Sequence, residues 1–490
     1  MAKRKPNSRA PQPKHRGKSK GSQFDRVNRL SHINPNRVRT GSALVPLVGS
    51  FVLMVAQLTK YLDKRISFRM PIVVSGMLLS SGRRTASSWF RMGGVRDDWD
   101  RFYEFLIHLG QRCQLLSWSL LMIVVRYMKL NEQATIRIAI DDSPTKRYGK
   151  YVEGAGVHRN PTAGPADGEW IYGHSWVTVA LTQVHAACGV IALPIRSMLY
   201  VRQKDVPELE AKYDWKFKTK HQLAIELVTW FVQSIRDRLI SGAVIQLVID
   251  GAYVSSELFE VVTSQGVTII SRLRKDAKLF SVPKTSSNPK RGRPRKYGQQ
   301  VLSLAKRAAS RGGWSKIVYR VRQQMVTRQY KSFLATSRIT RGTIRVVIVR
   351  YEDGSWAPYI STDTQLDVRE ILEAVADRWS IEESFHDLKE VWGGGQQQVR
   401  NIWSSIGCWN LIGWVHTLVH MHSWDQPSQA IADRSDRTWD NPDRRPSLSD
   451  RIRLITKEML AEELNSVLSP GADKPKIQRR VKELFLYFAA

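Results

Sequence analysis

Near residue 135 the hydrophobic period of this 490-residue chain changes from helical to two, and that change bounds what it can fold into. Residues 43 to about 130 show helical stripes, one through Leu53, Val55, Leu58 and Leu62 and more between Phe102 and Met128. From 135 onward alternation predicts strands near 135–142, 173–183 and 188–196. A helix follows near 218–238, with Leu223, Leu227, Trp230 and Phe231 as its apolar face. A strand at 244–250, a helix at 254–264 and a strand at 267–273 complete the series. Strands interleaved with helices predict a mixed α/β domain.

Two of these strands end on acids. Thr-Ile-Arg-Ile-Ala-Ile-Asp-Asp occupies 135–142, and Val-Ile-Gln-Leu-Val-Ile-Asp-Gly occupies 244–251. A third acid lies in Arg-Trp-Ser-Ile-Glu-Glu-Ser-Phe-His-Asp-Leu-Lys, residues 378–389. There Ile381, Phe385 and Leu388 form an apolar stripe, with Arg378, Glu382 and Lys389 on a neighbouring face and Glu383 pointing away from the core. Taken singly, such acids are turn formers or members of exposed ion pairs. Taken together, Asp141, Asp250 and Glu382 are three hard oxygen ligands of the kind Mg²⁺ takes. Asp141 is preferred over Asp142, the fallback, because it shares its strand face with Ala139 while Asp142 follows the buried parity of Ile136, Ile138 and Ile140.

The set Ile-Asp-Asp-Ser, Val-Ile-Asp-Gly-Ala-Tyr and Arg-Trp-Ser-Ile-Glu-x-x-Phe-x-x-x-Lys resembles the DDE transposases of bacterial insertion sequences. It is most similar to the insertion-sequence-four superfamily, whose third acid lies in a Tyr-x2-Arg-x3-Glu-x6-Lys signature. Arg378, Glu382 and Lys389 match that spacing, and Val375 stands at the tyrosine position. The resemblance spans roughly residues 40–425. It implies an RNase H-like catalytic core with a β-rich insertion, preceded by a helical N-terminal domain. It also implies that Asp141, Asp250 and Glu382 hold two Mg²⁺, with Mn²⁺ as a substitute, while Arg378 and Lys389 neutralise the scissile phosphate. The implied activity is cut-and-paste transposition on double-stranded DNA, at element ends and at the target, by a homodimer assembled on DNA. A catalytically inactive, DNA-binding descendant is the alternative, and intact Asp141, Asp250 and Glu382 weigh against it.

Composition agrees with a polyanionic partner. Lys and Arg number 76 against 44 Asp and Glu, a net charge of +32. A ribosome-like structural protein would share the charge but not the 42% hydrophobic content or the 16 tryptophans. Cys113, Cys188 and Cys408 stand far apart, which excludes a disulfide framework and a Cys-based zinc knuckle and fits a reducing cytoplasm, beside the nucleoid. The apolar run Ala43–Leu58 contains Pro46 and Gly49 and is too short for a comfortable membrane span.

The chain divides as follows. Residues 1–40, with twelve Lys or Arg and one acid, read as a disordered basic arm gripping phosphates. Residues 41–130 form a helical DNA-binding or bracing domain, in which Arg83 and Arg84 of the 80–90 turn are candidate phosphate ligands. The core occupies 131–274 and 366–422, interrupted by a β-rich insertion at 275–365 with strands at 317–322, 332–337, 343–351 and 356–361. In that insertion Arg291, Arg293 and Arg295 resemble a minor-groove hook, and Trp314 and Trp356 are candidates for stacking on a flipped base. Residues 403–421 read as an apolar helix, 423–448 as a linker and 449–490 as a C-terminal helical segment.

Overall fold

The change of period is where helix gives way to sheet. The computed structural model describes residues 44–160, 168–186, 188–283, 295–435, 439–441, 443–468 and 473–488. The basic arm 1–40 and the hook residues Arg291 and Arg293 lie outside them.

Six helices come first: α1 (Gly49–Leu58), α2 (Lys64–Ser67), α3 (Arg69–Leu79), α4 (Ala86–Met92), α5 (Trp99–Gln111) and α6 (Cys113–Tyr127). The buried face of α1 runs through Phe51, Met54, Val55 and Leu58, so Leu53 falls off the expected stripe and is 40% exposed. No helix among the described residues is long and apolar enough to cross a membrane.

The first half of the sheet follows the expected order with longer strands: β1 (Thr135–Lys146), β2 (Gly156–Arg159), β3 (Trp170–His185) and β4 (Gly189–Tyr200). Next come α7 (Val206–Tyr213), α8 (Lys220–Arg236), β5 (Val244–Ile249), α9 (Ser256–Ser264) and β6 (Thr268–Arg272). Helix α8 begins where Thr219 and Gln222 form a capping box, satisfying amides the first turn leaves open. In space the strands lie β4-β3-β1-β5-β6, antiparallel across β4-β3-β1 and parallel across β1-β5-β6. That is an RNase H-like α/β fold.

The insertion comprises β7 (Leu279–Phe280), β8 (Val301–Leu302), α10 (Leu304–Ala309), β9 (Ser315–Val321), β10 (Gln324–Ser337), β11 (Gly342–Arg350) and β12 (Trp356–Ser361). Its strands do not stand apart. β12 pairs antiparallel with β6, and β11 and β10 follow, so core and insertion share one 12-stranded sheet. An exposed β6 would present open backbone groups as an edge, and β12 satisfies them.

The chain then forms α11 (Val368–Asp377) and α12 (Trp379–His386), which run on from one another, and a π turn at Asp387–Val391. After these come α13 (Ile402–His422), α14 (Ser428–Ile431), α15 (Leu448–Val467) and α16 (Lys474–Phe488). Helix α13 is buried almost all round, between β4 on one side and α5, α6 and α15 on others, which explains its apolar composition. The stretch expected as a linker packs onto the rest. Ile431 and Ala432 are buried, and Arg434 bridges Asp440 at 3.1 Å and Asp450 at 3.8 Å. The three cysteines are buried and unpaired.

Candidate active site

Strands β1 and β5 run parallel with Ile140 opposite Ile249, so Asp141 within β1 and Asp250 just past the end of β5 follow side by side. Each lies two residues beyond the pair Ala139 and Val248, and Val248 packs in a cluster with Ile371, Leu372 and Ala374 of α11. Alternation therefore turns both acids to the face that α11 covers. Helix α11 lies over β6, β12 and β9, and α12 continues over β1, β3 and β4. The junction of the two helices, at Arg378, passes above the strands that carry the acids. Ile381, Phe385 and Leu388 are buried as expected and fix the rotation of α12, which brings Glu382 to the same place.

Arg378 joins the set. Its Nη1 donates to Asp141 Oδ2 at 2.8 Å and its Nη2 to Glu382 Oε1 at 2.7 Å. Its side chain is only 15% exposed, and Asp250 lies close enough to help hold the guanidinium charged. The expectation was a side chain aimed at phosphate; the structure aims it at the carboxylates. Burial pushes the Asp141 carboxyl up to about 6, with Arg378 pulling it back down and the Asp142 amide donating to it at 2.8 Å.

Asp142 faces the other way. It accepts from Lys220 at the start of α8 and from Tyr253 Oη at 2.9 Å, and burial beside that carboxylate drives the Tyr253 phenol well above its usual value. Glu383 meets Arg445 Nη2 at 3.0 Å. A cleft of about 1140 Å³ is lined by Asp141, Asp142, Glu382, Glu383 and Lys389 together with Arg444, Arg445 and Arg451. Lys389 reaches this cleft from the π turn, marked by the Trp392 amide donating to Asp387 O at 3.0 Å, and not by the α-helical alignment expected of it. Burial lowers its ammonium pKa.

The remaining sequence candidates are scattered. Arg83 is exposed on its turn, but Arg84 turns inward, donating to Met77 O at 2.9 Å beside the Trp392 ring. Its backbone amide donates to Gln396 Oε1 at 2.8 Å. Trp314 is flanked by Arg350 at 4.0 Å and Lys331 at 4.7 Å from its ring centre. Trp356 carries Lys275 at 4.9 Å and lies in the insertion, away from the cleft lining. Arg295 is exposed. Sequence reasoning passed over Lys220, Tyr253 and Arg445, which hold the acids flanking the central set. It also passed over Trp379, which is 44% exposed in the cleft with Arg322 5.5 Å from its ring. Tyr253 and Trp379 both lay inside motifs already singled out, so an aromatic next to a candidate acid was the available signal.

An RNase H-like sheet with acids on adjacent strands and a glutamate helix laid across them defines a DDE-type endonuclease domain. The family model described as DDE superfamily endonuclease matches residues 57–333, more than half the chain, and the protein belongs to that family. The match includes Asp141 and Asp250 and ends before Glu382. No curated protein matches the chain. Members of the family act on DNA.

The chemistry of the donor set fits a divalent ion, since Asp141, Asp250 and Glu382 offer only carboxylate oxygens. Among the described residues no three acid, histidine or cysteine side chains converge as ligands, and the Arg378 guanidinium bonds both Asp141 and Glu382.

Proposed function

We propose that this protein is a transposase of the insertion-sequence-four type, cutting DNA at the ends of its element and joining them to target DNA. The carrying observation is the meeting of Asp141 and Glu382 on one guanidinium, beside Asp250 on the adjacent strand end. Asp141, Asp250 and Glu382 would hold Mg²⁺, which supplies Lewis-acid stabilisation of the attacking and leaving oxygens of an in-line displacement. Arg378 keeps these acids from repelling one another and, when released, has its charge available for the scissile phosphate. Lys389 and the arginines lining the cleft add positive charge along the strand that enters it. Because two ends must be joined, we expect two copies of the chain on one DNA complex.

The test is a labelled duplex from the element end, incubated with purified protein and Mg²⁺. Asp141→Ala, Asp250→Ala and Glu382→Ala are each expected to lower cleavage by roughly 10³-fold or more while leaving duplex binding intact. Glu383→Ala, which removes only the contact with Arg445, is expected to cut. Cleavage that survives Glu382→Ala would overturn this assignment.

A further inference from the structure

The cleft that holds Asp141 and Glu382 does not end at the acids. A side chamber of about 310 Å³ opens from it, and the two share Lys146, Tyr148, Asn160 and Ile171 as walls. Two large aromatic side chains line this chamber and remain open to solvent, Tyr148 at 81% and Trp170 at 62% exposure. Exposed rings of this size beside an active site mark a surface with a partner.

Their backbone is held firmly. Strand β1 runs on past Asp141 to Lys146, which pairs with Gly173 of β3. A Cβ at Gly173 would stand 1.8 Å from Thr145 O, so only glycine permits that approach. Beyond it the Arg147 amide donates to Tyr172 O at 2.9 Å, and Tyr172 Oη donates to Gly149 O at 3.3 Å, fixing the turn that carries Tyr148. Trp170 is placed by its register opposite Arg159, and the Asn160 amide donates to Glu169 O at 2.7 Å. Lys146 and Arg147 line the chamber, and Arg159, opposite Trp170 in register, pairs with Glu169 at 3.7 Å.

Rings on a fixed backbone, with cations and a side-chain amide in the wall, match the requirements of a nucleotide. A paired base keeps its faces stacked within the duplex; only an unpaired one has a face to give. We propose that this chamber binds an unpaired nucleotide of the DNA strand passing through the candidate active site, its base stacking on Trp170 and Tyr148. The inference rests on the DNA-cutting function proposed above. Tyr148 lies seven steps along the extended chain from Asp141, a span of roughly 20 Å or about six nucleotides along one strand.

The full-length protein tests it with three probes: a blunt duplex, and the same duplex with a 3′ or a 5′ single-stranded overhang of roughly ten nucleotides, long enough to span that gap. Each overhang carries 2-aminopurine about six nucleotides from the junction. One overhang is expected to bind more tightly than the blunt duplex and to quench the fluorescent base. Trp170→Ala and Tyr148→Ala should each cut that preference by roughly fivefold to a hundredfold, and Trp170→Ala should do so with blunt-duplex affinity unchanged. Trp170→Phe should retain most of it. Three results would overturn the chamber alone: equal binding of blunt and overhang probes, a preference that survives the double variant, or an effect confined to self-association in sedimentation. Failure to bind any of the DNAs would overturn the proposed function with it.

Discussion

At the scale of single residues the governing fact is electrostatic. Asp141, Asp250 and Glu382 are close and partly buried, and Arg378 supplies the counter-charge that lets Asp141 and Glu382 sit together. Removing one partner of such a pair leaves buried charge uncompensated. Arg378→Gln is therefore expected to destabilise the metal-free protein, by on the order of 3 kcal/mol at most given the partial exposure of the acids. Added Mg²⁺ should then stabilise the variant more than the parent, because no guanidinium has to leave. Thermal unfolding with and without Mg²⁺ measures both effects, and an identical Mg²⁺ response in the two proteins would rule out competition between Arg378 and the ion.

At the scale of elements, two joints hold the frame around the site. Glu153, in the loop before β2, accepts from Lys212 and Tyr213 of α7 and from the first amide of α13. Burial pushes its carboxyl up, yet these donors together hold it below the ordinary 4.5. A depressed folded pKa means stability present above pH 4.5 and lost as pH falls through the lower folded value. Glu153→Gln should flatten the stability–pH curve in that acidic window, as chemical denaturation at a series of pH values would show. The second joint is the crossing of α5 and α13, where a Cβ at Gly407 would stand 2.1 Å from Leu106 O. Gly407→Ala forces the helices apart and is expected to cost about 1–3 kcal/mol, read as a lower unfolding midpoint. An unchanged midpoint would mean the crossing relaxes freely.

For the whole molecule, charge sets how DNA is met. A net +32 predicts an affinity that falls steeply with salt, since each phosphate neutralised releases counterions. The first 40 residues hold twelve of the 76 basic residues. Their deletion should make the plot of log affinity against log salt shallower; an unchanged slope would show that the arm touches no phosphate. The fold meanwhile confines the chemistry. Arg444, Arg445 and Arg451 line the same cleft as Glu382, so changes at Arg444 or Arg445 are changes to the site itself.

What the amino-acid sequence determined alone was local. The switch of period at 135, the strand that runs through Asp141 and the one that ends at Ile249, and the buried stripe of Ile381, Phe385 and Leu388 depend only on neighbours a few residues apart. Parity even separated Asp141 from Asp142, because alternation along a strand is a local property. The tertiary structure decided everything that depends on distant partners. Arg378 meets Asp141 across 237 residues of chain, and helical spacing carries no record of that approach. Arg84 turns inward because the loop after the π turn lies beneath it, and Trp314 is flanked by Arg350 and Lys331, which come from other strands. The insertion joins the core sheet because β6 needs an edge partner, which only pairing in space can reveal. Side-chain periodicity tells which face a residue takes; register and helix crossing tell what it finds there.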